Sequence, residues 1–156
     1  MPDHTSKLPD LRRAVAADLP ALKALIGIAY ERYLARMEKP PAPISRDYGP
    51  SVAEGTTWVV GSPIMALITL YQRPDHLYVE NVVVDPSAQG LGLGRALMDF
   101  AEQQAVERGL DRLALVTHEA MTENQAIYRR PGYVEVERRA EDGFRRIHME
   151  KRLPVG

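Results

Sequence analysis

The 156-residue sequence contains no cysteine. That removes disulfides, thiolate metal sites and a cysteine nucleophile together, and leaves no mark of a redox compartment. It has no charge imbalance either: 20 Lys and Arg stand against 21 Asp and Glu, a net charge of −1. Bulk electrostatics therefore recruit neither nucleic acid nor an anionic membrane, and any bound anion must be caught locally. No long apolar run is present, and the opening stretch MPDHTSKLPD has the pattern of neither a signal peptide nor a membrane span. A cytoplasmic protein is the default expectation. No internal repeat or low-complexity tract appears, and no histidine has a partner at metal-ligand spacing, so no metal site is expected.

What is present suits one hydrophobic core. With 45% hydrophobic residues, a chain of this length closes a core without staples, so residues 1–156 are expected to form a single domain with one site. Residues 11–15 read as a first short strand. Asp18 is placed to cap a helix with Pro20 in its first turn, and Leu22, Leu25, Ile26 and Ala29 recur at helical spacing. That helix is expected to run past Tyr30 toward Met37. Residues 39–50, with four prolines and a glycine, exclude a regular ladder and predict a surface loop.

Residues 56–60 and 64–71 read as an antiparallel hairpin about Gly61. Residues 77–84 are the longest strand candidate, and the unalternating Val82, Val83 and Val84 predict that its end is covered on both faces. A helix is expected over 93–108, stopped by Gly109, followed by a short buried strand at 113–117. Strand, helix, strand across 77–117 predicts a right-handed crossover with the two strands parallel. Thr122 and Gln125 have the spacing of a capping box, opening a short helix that must end before Pro131. Residues 133–137 and 145–149 then read as a second hairpin around 140–143.

The stretch VVVDPSAQGLGLGR places glycine at positions 90, 92 and 94, where a strand hands over to a helix. The first N–H groups of a helix lack intrahelical partners and sit at its positive end. Glycines there let the backbone close on an anion and adopt dihedrals closed to other residues, which predicts a phosphate or pyrophosphate site. Two other nucleotide signatures fail. Arg95 and Ala96 follow Gly94 where a Walker A loop needs Lys and Ser or Thr, and the third glycine of a dinucleotide fingerprint would fall on Arg95 or Leu97.

Gln89, Gly92 and Gly94 fall in the register Gln/Arg, two residues, Gly, one residue, Gly/Ala. This resembles the acyl-coenzyme A signature of the GCN5-related N-acetyltransferase superfamily. Tyr128, Gly132 and Tyr133 in YRRPGY resemble a second element of that family, and the element order from Leu11 to Leu153 is similar to its fold. The resemblance implies an α/β domain whose mixed, mostly antiparallel sheet splays between strands 77–84 and 113–117. It implies acetyl-coenzyme A as cosubstrate, with the Val82, Val83 and Val84 backbone pairing the pantetheine arm and Gly90, Leu91, Gly92, Leu93, Gly94 and Arg95 cradling the pyrophosphate. Tyr128 matches the tyrosine that protonates the departing thiolate; a phenol with a reference pKa of ~10 is a donor at neutral pH. The family's asparagine seven residues before that tyrosine is Met121 in this chain, and Asn124 either takes over its contact with coenzyme A or helps open the helix.

The acceptor by this resemblance is a small-molecule amine or a peptide or protein amine, attacking directly in a ternary complex, and a homodimer is left open. A protonated amine needs a base. Glu80, on the strand leading to the acyl site, would share a face with Val82 and Val84 if alternation persists; His118 and Glu119 follow the next strand. Tyr30 and Tyr33, one helical turn apart, would line the acceptor pocket or pack beneath the loop. The arginine pairs 129–130, 138–139 and 145–146 are solvated face residues or ligands for a coenzyme phosphate or an acidic acceptor. The competing class is a module that binds acyl-coenzyme A without turnover.

Overall fold

The run of valines ending at Val84 lies at the middle of a seven-stranded sheet whose two faces are both covered by helices. The computed structural model describes residues 8, 10–129, 132–141 and 143–154, with the side chains of 123, 124, 126 and 129 outside the described set. The elements in chain order are β1 (Arg12–Arg13), α1 (Leu19–Leu34), the single turns α2 (Ala42–Ser45) and α3 (Gly49–Ala53), β2 (Thr57–Val60), β3 (Ala66–Gln72) and β4 (Leu77–Val84). There follow α4 (Leu93–Glu107), β5 (Arg112–His118), α5 (Thr122–Arg129), β6 (Val134–Glu141) and β7 (Phe144–Arg152). The strand order is β1-β2-β3-β4-β5-β7-β6. Every neighbouring pair is antiparallel except β4 and β5, which run parallel as the intervening helix α4 requires.

Two apolar clusters divide the faces. Val60, Ile68, Leu77, Val79, Val82 and Val84 pack with Leu97, Phe100 and Ala101 of α4, Leu113 and Leu115 of β5, and Tyr128 of α5. Val59, Leu67 and Val83 pack against Leu22, Leu25, Ile26, Tyr30 and Tyr33 of α1. With a helix on each side the central strands need no polar face, and Val59, Val60, Leu67 and Ile68 are fully buried.

One irregularity decides where side chains point. Between β3 and β4 the register runs Thr69 opposite Asn81, then Leu70 opposite Val79, which leaves Glu80 as the extra residue of a β-bulge. Leu77 and Val79 before the bulge and Val82 and Val84 after it belong to the same α4-side cluster, so the parity has shifted by one. Alternation does not persist, and Glu80 does not share a face with Val82 and Val84. It opens with Tyr78 and Asn81 on the α1 side.

Smaller differences have local causes. The first helix stops at Leu34, short of Met37. The Asp18 carboxylate turns back to accept from the Val15 N–H (2.8 Å) and the Arg12 guanidinium (2.7 Å) instead of capping α1. Those two contacts hold it below the ordinary carboxylate range, the arginine contributing most. The proline-rich stretch folds in part into α2 and α3, each with Pro in its first turn. The Gln125 amide donates to the carbonyls of His118 (3.0 Å) and Glu119 (3.2 Å), tying α5 to the end of β5. The second hairpin is longer than its sequence pattern, spanning β6 and β7. Pro131, expected to end the helix, lies outside the described residues. Among the described residues no helix is long and apolar enough to cross a membrane.

Candidate active site at the parting of the sheet

β4 and β5 pair only at Leu77 with Leu113, Tyr78 with Ala114 and Val79 with Leu115. Beyond that point the strands part, leaving the β5-facing edge of residues 80–84 with backbone groups that no strand satisfies. Two cavities open at this parting, one on each side, and Tyr30 of α1 lines both.

The first, of about 480 Å³, has β4 as its floor through Val82, Val83 and Val84 and the glycine loop as its end wall. Asp85 shapes the entry to that loop by accepting from the Ser87 N–H (2.9 Å) and hydroxyl (2.8 Å). Gly90 and Gly92 hold φ of +91° and +78°, in the left-handed region where a side chain costs about 1–2 kcal/mol. A Cβ on either would meet nothing within 4 Å, so the cradle is kept open by conformation, and space for a ligand lies directly above it. Gly94 differs from the expectation: its φ is ordinary and a Cβ there would sit 3.4 Å from Ile127 of α5. A methyl there would make ordinary contact with Ile127, so neither dihedral nor packing requires glycine, and its bare backbone forms part of the cavity wall. The first intrahelical bond of α4 is Ala96 N–H to the Gly92 carbonyl (3.0 Å), so the N–H groups of Leu93, Gly94 and Arg95 have no carbonyl one turn earlier. Gln89 also lines the cavity and accepts from Arg32 (3.4 Å). Leu91 is 70% exposed and outside the lining, and the Asn124 side chain lies outside the described residues.

The second cavity, of about 630 Å³, lies under the loop that follows α1, against β4, β5 and the β6–β7 hairpin. Glu80 enters it from the bulge and Tyr128 from α5. Tyr128 is 3% exposed, belongs to the α4-side cluster, and stands with its ring 6.4 Å from that of Tyr133. The two expected catalytic side chains thus reach one cavity from opposite faces of the divided sheet. Tyr33 lines only the glycine-side cavity, its ring 5.8 Å from the Tyr30 ring. Burial pushes the Tyr30 hydroxyl well above its ordinary range, and Tyr128, Tyr48 and Tyr33 add to the shift, so this junction residue stays neutral.

His118 lines the second cavity with Nδ1 accepting from the Ala120 N–H (2.9 Å), which leaves the ring proton of the neutral imidazole on Nε2, 3.3 Å from the Arg145 nitrogen. Protonation at Nδ1 would set N–H against the Ala120 N–H. Burial, joined by the charges of Arg146 and Arg145, lowers its pKa against the smaller pull of Glu119. Following the ring by NMR should give a midpoint below 6.5; because the folded state prefers the neutral ring, acidification through that window destabilises the fold. Among the described arginines of these pairs, Arg138 meets Glu135 (2.8 Å), Arg139 meets Glu141 (3.3 Å) and Arg145 meets Glu119 (3.2 Å); the side chains of 129 and 130 lie outside the described residues.

Sequence reasoning passed over two residues here. Arg46, in the proline-rich loop, sets its Nε 2.7 Å from Glu80. Asn81, 4% exposed, donates from Nδ2 to the Tyr48 hydroxyl (2.8 Å). Among the described residues four buried side-chain polar atoms lack a partner: Arg46 Nη1, Asn81 Oδ1, Thr117 Oγ1 and the Tyr133 hydroxyl. Three of those residues line this one cavity, at about 1–3 kcal/mol for each unpaired group. An amide directly before three valines in a central strand was the available signal for Asn81.

The family model described as the acetyltransferase (GNAT) family matches residues 23–133. Over 61 residues the chain is 42% identical to the mycothiol acetyltransferase of Beutenbergia cavernae, a match that covers 39% of this chain and 20% of that protein. The fold is similar to that of the PaiA N-acetyltransferase of Thermoplasma acidophilum in complex with coenzyme A, with a TM-score of 0.78 at 14% identity, covering 92% of this chain and 98% of that one. It is also similar to the ribosomal-protein-alanine N-acetyltransferase of Brucella melitensis, with a TM-score of 0.67 at 24% identity over 92% and 99% of the two chains.

Proposed function

Since the chain belongs to the acetyltransferase (GNAT) family, we propose that it transfers the acetyl group of acetyl-coenzyme A to a primary amine by direct attack in a ternary complex. The observation that carries this reading is the pair of cavities beside the parting of β4 and β5, which share Tyr30 as a wall. One cavity ends in the glycine cradle, and the other receives Glu80 and Tyr128.

Acetyl-coenzyme A supplies the activated thioester when bound. Gly90, Gly92 and the leading N–H groups of α4 hold the diphosphate, with Gln89, Leu93, Gly94 and Arg95 completing the wall. The unpaired edge of Val82, Val83 and Val84 holds the pantetheine arm as a neighbouring strand would, and an N–H of that edge faces the acyl oxygen. Glu80 takes the proton of the acceptor ammonium, directly or through water, and Tyr128 gives its hydroxyl proton to the departing sulfur. Tyr30 and Tyr33 line the cavity beside the glycine loop, and Asn124 adds a contact to the coenzyme. We place the protein in the cytoplasm, working as a single domain without a metal.

The test joins calorimetric titration with coenzyme A to thiol release over a panel of amines. Binding together with release supports transfer. Binding with no release for any amine points to a module that holds acyl-coenzyme A without turnover, and no binding overturns the reading. Gly92→Ala should weaken coenzyme A about tenfold in the same titration, because the free loop relaxes out of the left-handed conformation and binding must restore it at ~1.4 kcal/mol. Gly94→Ala, which needs no unusual dihedral, should keep the melting temperature of the parent.

A further inference from the structure

Among the described residues, three buried polar atoms without a partner belong to residues lining the cavity that holds Glu80, and two of opposite kind, Asn81 Oδ1 and Arg46 Nη1, sit on side chains that both contact Tyr48; the third is Thr117 Oγ1 on β5. Because of the bulge, Glu80 and Asn81 line the cavity as consecutive residues, which regular alternation forbids. Asn81 is held through Nδ2 by the Tyr48 hydroxyl, and its Oδ1 is left without a donor. Arg46 stands with its guanidinium carbon 5.9 Å from the centre of the Tyr48 ring and its Nε on Glu80, and its buried Nη1 is left without an acceptor. Tyr48 is itself buried, and burial raises its pKa, so it brings no negative charge to either neighbour. Other carboxylates of the cavity are already answered: Glu141 by His148 and Arg139, Glu150 by Arg112.

We infer that the acceptor is an α-amino carbonyl compound, whose amine donates to Asn81 Oδ1 beside Glu80 while its carbonyl or carboxylate oxygen accepts from Arg46 Nη1. This rests on the acetyl-transfer reading and narrows it. A plain alkylamine satisfies the acceptor half and leaves the arginine donor unpaired. A diamine sets a second cation near a guanidinium. An amine one carbon away from a carbonyl satisfies both halves with one short fragment, and a free amino acid and a peptide N-terminus share that fragment.

The experiment compares kcat/KM in thiol release for L-alanine, L-alaninamide, a tripeptide with N-terminal alanine, isopropylamine and 1,4-diaminobutane. Isopropylamine is the control in which a methyl group replaces the carbonyl carbon. With each rate divided by the fraction of free amine at the assay pH, at least one α-amino carbonyl probe should exceed isopropylamine by on the order of 10- to 100-fold, the effect of one charge-assisted hydrogen bond. Preference for alanine identifies a carboxylate on Arg46; preference for the amide and the tripeptide identifies a peptide N-terminus. Arg46→Met should bring the ratio to near one, chiefly through KM, and Arg46→Lys should restore part of it. Equal or better rates with isopropylamine or the diamine, or a ratio unmoved in Arg46→Met, overturn the inference.

If coenzyme A binds but no amine releases thiol, the transfer reading fails, and titration followed by NMR still decides this one. Shifts of the Asn81 side-chain amide and the Arg46 Nε–H with alaninamide and not with isopropylamine support it. The same shifts with both, or with neither, overturn it.

Discussion

Tyr128→Phe is expected to lower kcat for thiol release on the order of 100-fold while coenzyme A affinity stays within about twofold. A positioned general acid contributes about 10²- to 10⁴-fold, and the substitution removes one oxygen and no ring. The phenol is 3% exposed within the α4-side cluster, so the ring's packing survives and the fold should melt near the parent temperature. The split between rate and affinity matters because Tyr128 lines the cavity that holds Glu80 and is absent from the lining of the glycine-side cavity. An acyl donor with a more acidic thiol, which needs no proton to leave, should recover much of the lost rate. An unchanged kcat with the natural thioester would remove Tyr128 from the chemistry and leave it as a core aromatic beside Tyr133.

Glu80→Gln is expected to cost at least as much in kcat/KM at neutral pH, and to recover as the pH rises. A primary amine with a pKa near 10 is almost wholly protonated at pH 7, so only about one molecule in a thousand is competent without a base. The variant should therefore gain close to tenfold per pH unit until the amine titrates, while the parent rises less steeply. The isosteric amide keeps the bulge but loses the ion pair to Arg46, whose Nε is 2.7 Å away. That side chain is 30% exposed, so water can take over part of its solvation and the stability loss should be modest. Circular dichroism and the melting temperature separate the chemical effect from a folding defect. Matching pH profiles in variant and parent would exclude Glu80 as the base. His118 is not ready to replace it, since its one accepting nitrogen, Nδ1, already takes the Ala120 N–H.

Most of the scaffold was legible in the chain because its signals are local. Residues 77–84 form the central strand over the expected span, and the helix at 93–107 ends within a residue of expectation. Gly90 and Gly92 carry the left-handed dihedrals that their place before a helix implied. The parallel pairing of β4 with β5 follows from the crossover helix between them. The less accurate boundaries belong to segments whose ends are set by partners. The β6–β7 hairpin extends further because each strand finds the other, and the Gln125 amide is drawn to the end of β5.

The amino-acid sequence by itself therefore determined the order of elements, the left-handed glycine turns at the head of α4, and the place of Tyr128 on the short helix after β5. Each depends on residues a few positions apart and on backbone conformations that glycine, proline or β-branched side chains impose. The tertiary structure alone decided which way Glu80 faces, since a bulge exists only in the register between two strands. Tertiary structure also brought Arg46 and Tyr48 onto Glu80 and Asn81 and left one donor and one acceptor open between them. Those contacts join a surface loop to a central strand, and no periodicity along the chain encodes a distance across the fold.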